Sequence, residues 1–196
     1  MTQPETPNAK PSGLKDKIWH VAKDLSRMST GDLAMLRRGP LREGEAGAPA
    51  FWRLSVGEAY GFPASEEWAA IIEAMALLTR RNPDGKGHQS PHGKNSLGKA
   101  LCDGGDSSWG SDGAEPRPAL SELRLARLLN SHSKQRRDML LRAVRMLARS
   151  GTQINCTDIA NFILARPGND VPARAIAKSY YSRLDRISAK ASKETA

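Results

Sequence analysis

The apolar residues of this chain recur at helical spacing through most of its length, and no segment of convincing length alternates with the period of two that marks a strand. Leu14, Ile18, Val21, Ala22, Leu25 and Met28 define a first amphipathic helix that starts at Gly13. Ser29 or Thr30 caps a short second one, GDLAMLRRG, which stops at Gly39–Pro40. AFWRLSVGEAYG reads as a third helix despite its apolar density. Ser65 opens a fourth whose Trp68, Ala69, Ile71, Ile72, Met75 and Leu78 are apolar on more than one face, as at the centre of a bundle. A short helical piece follows at Ser96–Cys102. Near the end, Asn155 or Thr157 caps DIANFILAR, which Pro167–Gly168 closes. Asp170 caps the last helix, with Pro172 in its first turn and Val171, Ile176, Ala177, Tyr180, Tyr181, Leu184 and Ile187 on its buried side. The pattern predicts an all-α protein.

Breakers and Gly-rich stretches divide it into two small helical bundles joined by a Gly-rich linker. Residues 1–12, with three prolines, read as a flexible tail, and residues 189–196 as another. Between them lie an N-terminal helical domain over 13–102, the linker over 103–118 and a C-terminal basic helical domain over 119–188. A second irregular stretch, RRNPDGKGHQSPHGKN, falls inside the first domain and is basic.

The segment from Pro118 to Gly151 reads as two helices joined by a polar turn at Asn130–Ser133. The first carries Leu120, Leu123, Leu125, Leu128 and Leu129, with Arg124 and Arg127 three apart on a neighbouring face. On the second, Met139, Leu140, Ala143, Val144, Leu147 and Ala148 fill one apolar arc. Lys134, Arg142, Arg145 and Arg149 fall together on the other side with Asp138 among them, placed to pair with Arg142. Arg136 and Arg137 add to the cations at the start of this helix. Like charges three and four apart repel, so a stripe of one sign favours a polyanion as its partner.

Charge distribution strengthens that reading. Residues 1–118 hold 15 Lys and Arg against 15 Asp and Glu, whereas residues 119–196 hold 15 against 6 and so carry the whole net +9. A basic half of this kind points first to nucleic acid and second to an anionic membrane surface. The longest apolar run, Trp68–Leu78, is broken by Glu73 and is far too short to span a bilayer. The first residues lack the apolar core of a signal peptide, and the two cysteines, Cys102 and Cys156, have no motif spacing, which fits a cytoplasmic protein with free thiols. His88 and His92 are four apart but in a Pro-containing loop, so no metal site is expected. GHQSPHGKN fails as a phosphate-binding loop, with His88 five before Gly93 and Asn95 where Ser or Thr belongs. No nucleophile or acid–base set is visible, and neither an enzyme nor a cofactor is expected. Trp19, Trp52, Trp68, Tyr180 and Tyr181 sit in apolar patterns and read as core, whereas Trp109 lies in a polar loop and reads as exposed.

Several short segments occur together in one order: LRRG closing the second helix, PAFWRL, NSLGKAL, LRLARLL, MLLRAVRMLA and KSYYSRL. That order and spacing, from about Leu14 to Leu184, resembles the small subunit of type I-E CRISPR Cascade complexes, the CasB family. The resemblance implies an all-helical, two-domain, non-catalytic subunit that lies beside the crRNA-containing Cascade subunits together with a second copy of itself. Its basic surfaces would hold the target and non-target DNA strands and so stabilise the R-loop in antiviral defence. Carried over by position, Arg37, Arg38 and Arg53 would be N-terminal contacts, and Lys94 and Lys99 loop contacts. Arg124, Arg127, Arg142, Arg145 and Arg149 would be C-terminal ones. For Arg37 and Arg38 an equal reading is a charge partner for the C-terminus of their own helix. Two other classes compete: a stand-alone helical DNA-binding regulator, and a scaffold docking an acidic partner.

Overall fold

In the computed structural model, residues 13–41, 46–57, 61–106, 108–109 and 117–194 are described, with side chains as far as Arg186. The elements in chain order are α1 (Leu14–Arg27), α2 (Thr30–Arg37), α3 (Pro49–Ser55), α4 (Glu66–Leu78), β1 (Arg80–Arg81), β2 (His88–Gln89), β3 (His92–Asn95), α5 (Leu97–Asp103), α6 (Glu122–Leu129), α7 (Ser133–Ser150), α8 (Cys156–Ile163) and α9 (Val171–Glu194). The protein is mostly helical, as its periodicity predicts. Helix starts follow side-chain caps: Ser29 accepts from Asp32 N–H, Ser65 from Trp68 N–H, Ser96 from Lys99 N–H and Asn155 from Thr157 N–H. Left-handed Gly104 and Gly151 end α5 and α7.

α4 is the hub. Every residue from Trp68 to Leu78 except Leu77 is buried, the signature of a helix surrounded by neighbours. α2, α7 and α8 pack around it, and α5 lies along α9. The α5–α9 crossing is so close that a Cβ on Gly98 would overlap Ile176 O and Ser179 Oγ, which is why that position has no side chain.

Three differences from the sequence expectations concern organisation. First, the basic stretch after α4 contains short extended segments. β1 and β2 form an antiparallel hairpin, and β3 bridges Ile154 in the α7–α8 corner. Asn155 N–H donates to Asn95 O at 2.7 Å, and Gln153 Nε2 donates to Ser90 O at 3.0 Å. Strands of two to four residues have too few positions to register as an alternating pattern.

Second, the buried side chains of 13–102 and 119–188 form one continuous cluster, not two separate cores. Much of the expected linker, and the tail at 1–12, lie outside the described residues. The two ends of that linker meet: Ala119 N–H donates to Cys102 O at 2.8 Å and Leu120 N–H to Leu101 O at 2.9 Å. Third, α9 continues to Glu194, past the expected tail boundary.

Candidate nucleic-acid interface

α6 and α7 form the helical hairpin expected from the sequence. Leu125 and Leu128 are buried on α6, and Leu140, Leu141, Ala143, Val144 and Leu147 on α7. The turn is held by its own side chains. Asn130 Nδ2 donates to Ala126 O at 2.9 Å and Ser131 Oγ to Leu128 O at 2.6 Å, adding side-chain donors to carbonyls that the backbone N–H groups of the same two residues also reach. This geometry leaves an open groove of about 750 Å³ along the turn and the outer face of α7. Arg127, Lys134 and Arg142 line it together with Asp138, Asn130 and Gln135. Arg127, Lys134 and Arg142 are all exposed, as are Arg124 one turn earlier on α6 and Arg149 two turns beyond Arg142. Asp138 shares the groove wall with Arg142, but no ion pair joins the two among the described residues. Three cations against one carboxylate, on a rigid hairpin, form a surface suited to a phosphate backbone.

Other candidate cations are engaged by partners within the protein. Arg136 is buried, not a surface contact. Its Nε donates to Ser131 O at 2.9 Å, and Nη1 donates to Phe162 O at 3.1 Å and to Ala165 O at 3.2 Å. Its guanidinium also lies 4.9 Å from the Phe162 ring centroid, so it closes the end of α8. Arg137 is held by Glu66 and, at 3.1 Å, by Glu67, and its side chain is only 12% exposed. Arg145 contacts Glu73 Oε1 at 2.5 Å. Arg37 caps α4, not its own helix: Nε donates to Ala76 O at 2.9 Å and Nη2 to Thr79 O at 2.6 Å. Burial pushes the Arg37 guanidinium below its ordinary value.

The remaining candidates lie outside the groove. Arg38 is exposed after α2, Arg53 stands 3.8 Å from Asp32, Lys94 is exposed on β3, and Lys99 is half-buried on α5. A cation missed by the sequence reading joins the far end of α7. A Cβ on Gly151 would overlap the guanidinium of Arg80, so Arg80 lies against the C-terminus of α7 beyond Arg149. Only the long-range approach of β1 puts it there, and no local signal announces that.

Aromatic placement departs from expectation in several cases. Trp68 and Tyr180 are buried, but Trp19, Trp52 and Tyr181 are exposed, as are the apolar Leu123 and Val171. Trp109 is half-buried, donates Nε1–H to Arg117 O at 3.2 Å and has Arg183 over its ring. Ile187 lies outside the side chains described.

His92 and Cys156 serve each other structurally. His92 Nδ1 accepts from Cys156 N–H at 3.2 Å, where it serves the start of α8. Burial lowers the His92 value, with Asp158 opposing and Lys15 assisting. Both cysteines are buried and unpaired by disulfide. Burial, then Asp103, pushes the Cys102 thiol up to about 12, and burial, then Asp158, pushes Cys156 higher still. Neither thiol supplies thiolate at neutral pH. Among the described residues, no group of three His, Cys, Asp or Glu is placed to hold a metal, and no helix is long and apolar enough to cross a membrane.

Comparison with known proteins gives one family. The family described as CRISPR-associated protein Cse2 matches residues 32–181, which include α4, the β3–α8 strap and the whole α6–α7 hairpin. No curated protein and no solved structure matches the chain. The matched span covers most of the chain and contains the groove cations Arg127, Lys134 and Arg142. The chain belongs to the Cse2 family, the CasB small subunits of type I-E CRISPR Cascade complexes.

Proposed function

We propose that this Cascade subunit is a non-catalytic phosphate holder that binds the target and displaced DNA strands and stabilises the R-loop. The observation that carries the reading is the groove in which Arg127, Lys134 and Arg142 converge from two helices. Arg124 and Arg149 extend it at its ends, and Arg38, Arg53, Lys94 and Lys99 are outlying contacts. The partners are the crRNA-containing Cascade subunits, both DNA strands and a second copy of the chain, in the cytoplasm.

R-loop formation exchanges one duplex for another of similar stability. A few sequence-independent phosphate contacts are enough to tip such an equilibrium. Base pairing reads the sequence, so this subunit needs cations on a rigid frame and no base-reading side chains.

The purified protein mixed with oligonucleotides of unrelated sequence tests this reading. It binds them weakly and without preference, and log affinity falls with log salt by about 0.7 per phosphate neutralised on a single strand. Arg127→Ala, Lys134→Ala and Arg142→Ala together remove most of the slope. Tight, salt-insensitive binding to one sequence would instead mark a stand-alone regulator. A partner that survives nuclease treatment of the purified assembly would mark a scaffold.

A further inference from the structure

α4 and α7 lie side by side and run in the same direction, because Glu66 and Glu67 at the start of α4 meet Arg137 near the start of α7 while Glu73 meets Arg145 farther along both. The acids of α4 thus follow the inner edge of the basic strip. The two contacts differ in kind. The Arg137 side chain is 12% exposed and sits between two carboxylates. Glu67 is held below the usual carboxylate range by its backbone hydrogen bond, then by Ser65, with Arg137 adding less. Arg145 is 51% exposed although it touches Glu73, whose side chain is only 10% exposed.

At 100° per residue Arg145 stands about 60° round α7 from Arg142 and about 40° from Arg149. It therefore borders the open cations and can rotate into their row without leaving solvent.

We propose that Glu73 is a built-in competitor for phosphate, which occupies Arg145 and so limits how many phosphates the α7 face engages. The inference rests on the nucleic-acid reading of the groove. A carboxylate and a phosphate present similar oxygen acceptors to a guanidinium. A strand that enters the groove can gain Arg145 only by displacing Glu73. That displacement gives up a close charge-assisted contact, which disfavours it. The carboxylate therefore sets the inner boundary of the footprint, and the strand is directed to Arg127, Lys134, Arg142 and Arg149.

The test is binding of the full chain to a labelled single-stranded oligonucleotide across a salt series, read as affinity and as the slope of log affinity on log salt. Glu73→Gln keeps the shape of the side chain, removes the competing charge and leaves Arg145 available. It should bind about two- to fivefold tighter at low salt, the range of one exposed ion pair, with a slope steeper by about 0.7. Adding Arg145→Ala to Glu73→Gln should erase the gain, whereas Arg145→Ala in the wild-type background should change little. Glu66→Gln is the control: it alters net charge equally but exposes no arginine, because Arg137 keeps Glu67. Circular dichroism confirms that each variant is folded. Equal gains from Glu66→Gln and Glu73→Gln would reduce the effect to net charge and overturn the proposal. So would a Glu73→Gln variant, or an uncharged Glu73→Met variant should the Gln form misfold, that binds no tighter than a wild type which itself binds. A wild type showing no salt-dependent binding would overturn the nucleic-acid reading, and the competitor role would fall with it.

Discussion

Arg136 and Arg142 belong to the same helix and the same residue type, yet the protein uses them in opposite ways. Arg136 is buried and divides its donors among carbonyls of Ser131, Phe162 and Ala165. Arg142 faces an open groove. Removing a buried donor leaves its acceptors unsatisfied, at about 1–3 kcal/mol for each such group. Arg136→Ala should accordingly lower the unfolding free energy by roughly 2–4 kcal/mol, while Arg142→Ala stays within about 0.5 kcal/mol. Urea unfolding followed by circular dichroism checks both, and equal midpoints for the two variants would refute the distinction. Part of the difference was legible beforehand. On a helical wheel Arg136 falls between Ala143 and Leu147, inside the apolar arc, and Arg137 falls between Val144 and Leu141. Arginines at those angles face the interior. The Glu73–Arg145 contact was not legible, because nothing local in either helix names a partner 72 positions away. The aromatics failed for a related reason: Trp19 and Trp52 follow the apolar period of their helices but stand at its margin, where half of each ring meets water.

At the scale of elements, helices were readable wherever several turns of periodicity and a capping side chain coincided, as at Ser65 for α4 and Asn155 for α8. The strap formed by β3 was not, because its pairing with the α7–α8 corner depends on residues about 60 apart in sequence. That strap contains a titratable contact, the Cys156 N–H donated to His92 Nδ1. A protonated imidazole cannot accept there. Burial keeps the folded His92 below its ordinary value, against which Asp158 pulls upward and Lys15 downward. As pH falls, the unfolded chain takes up this proton first, so stability is present above the unfolded value and is lost as pH falls toward the folded one. Between pH 7.5 and 6 the loss from this residue is at most about 0.8 kcal/mol. Asp158, whose burial raises its value, contributes with the opposite sign. The expected result is a smaller decrease in melting temperature over that interval for His92→Gln, whose carbonyl still accepts but does not titrate, than for the wild type. Identical decreases would show that the contact carries no proton linkage.

At the scale of the whole molecule, the two charge-distinct halves of the sequence are not two separate cores. The neutral half supplies α4 and α5, and the basic half supplies α7 and α9, which pack directly on them. Composition reveals where charge lies but not which apolar faces meet. A fragment of residues 119–196 would expose the faces that α7 and α9 bury on α4 and α5. It should show no cooperative thermal transition, whereas the full chain does; a cooperatively folding fragment would restore the two-bundle organisation. The packing also bears on function, because α4 fixes α7 from behind and leaves its outer cations toward solvent. Family membership makes the protein a Cascade subunit, and the groove is where the proposed phosphate-holding role must be tested. The most direct measurement is R-loop lifetime in a reconstituted Cascade complex at two salt concentrations, with wild-type subunit against the Arg127→Ala, Lys134→Ala, Arg142→Ala variant. The account predicts that the variant is incorporated on guide RNA, that its R-loop dissociates faster, and that its lifetime depends less on salt. Equal lifetimes at both salt concentrations, with the variant folded and incorporated, would contradict it.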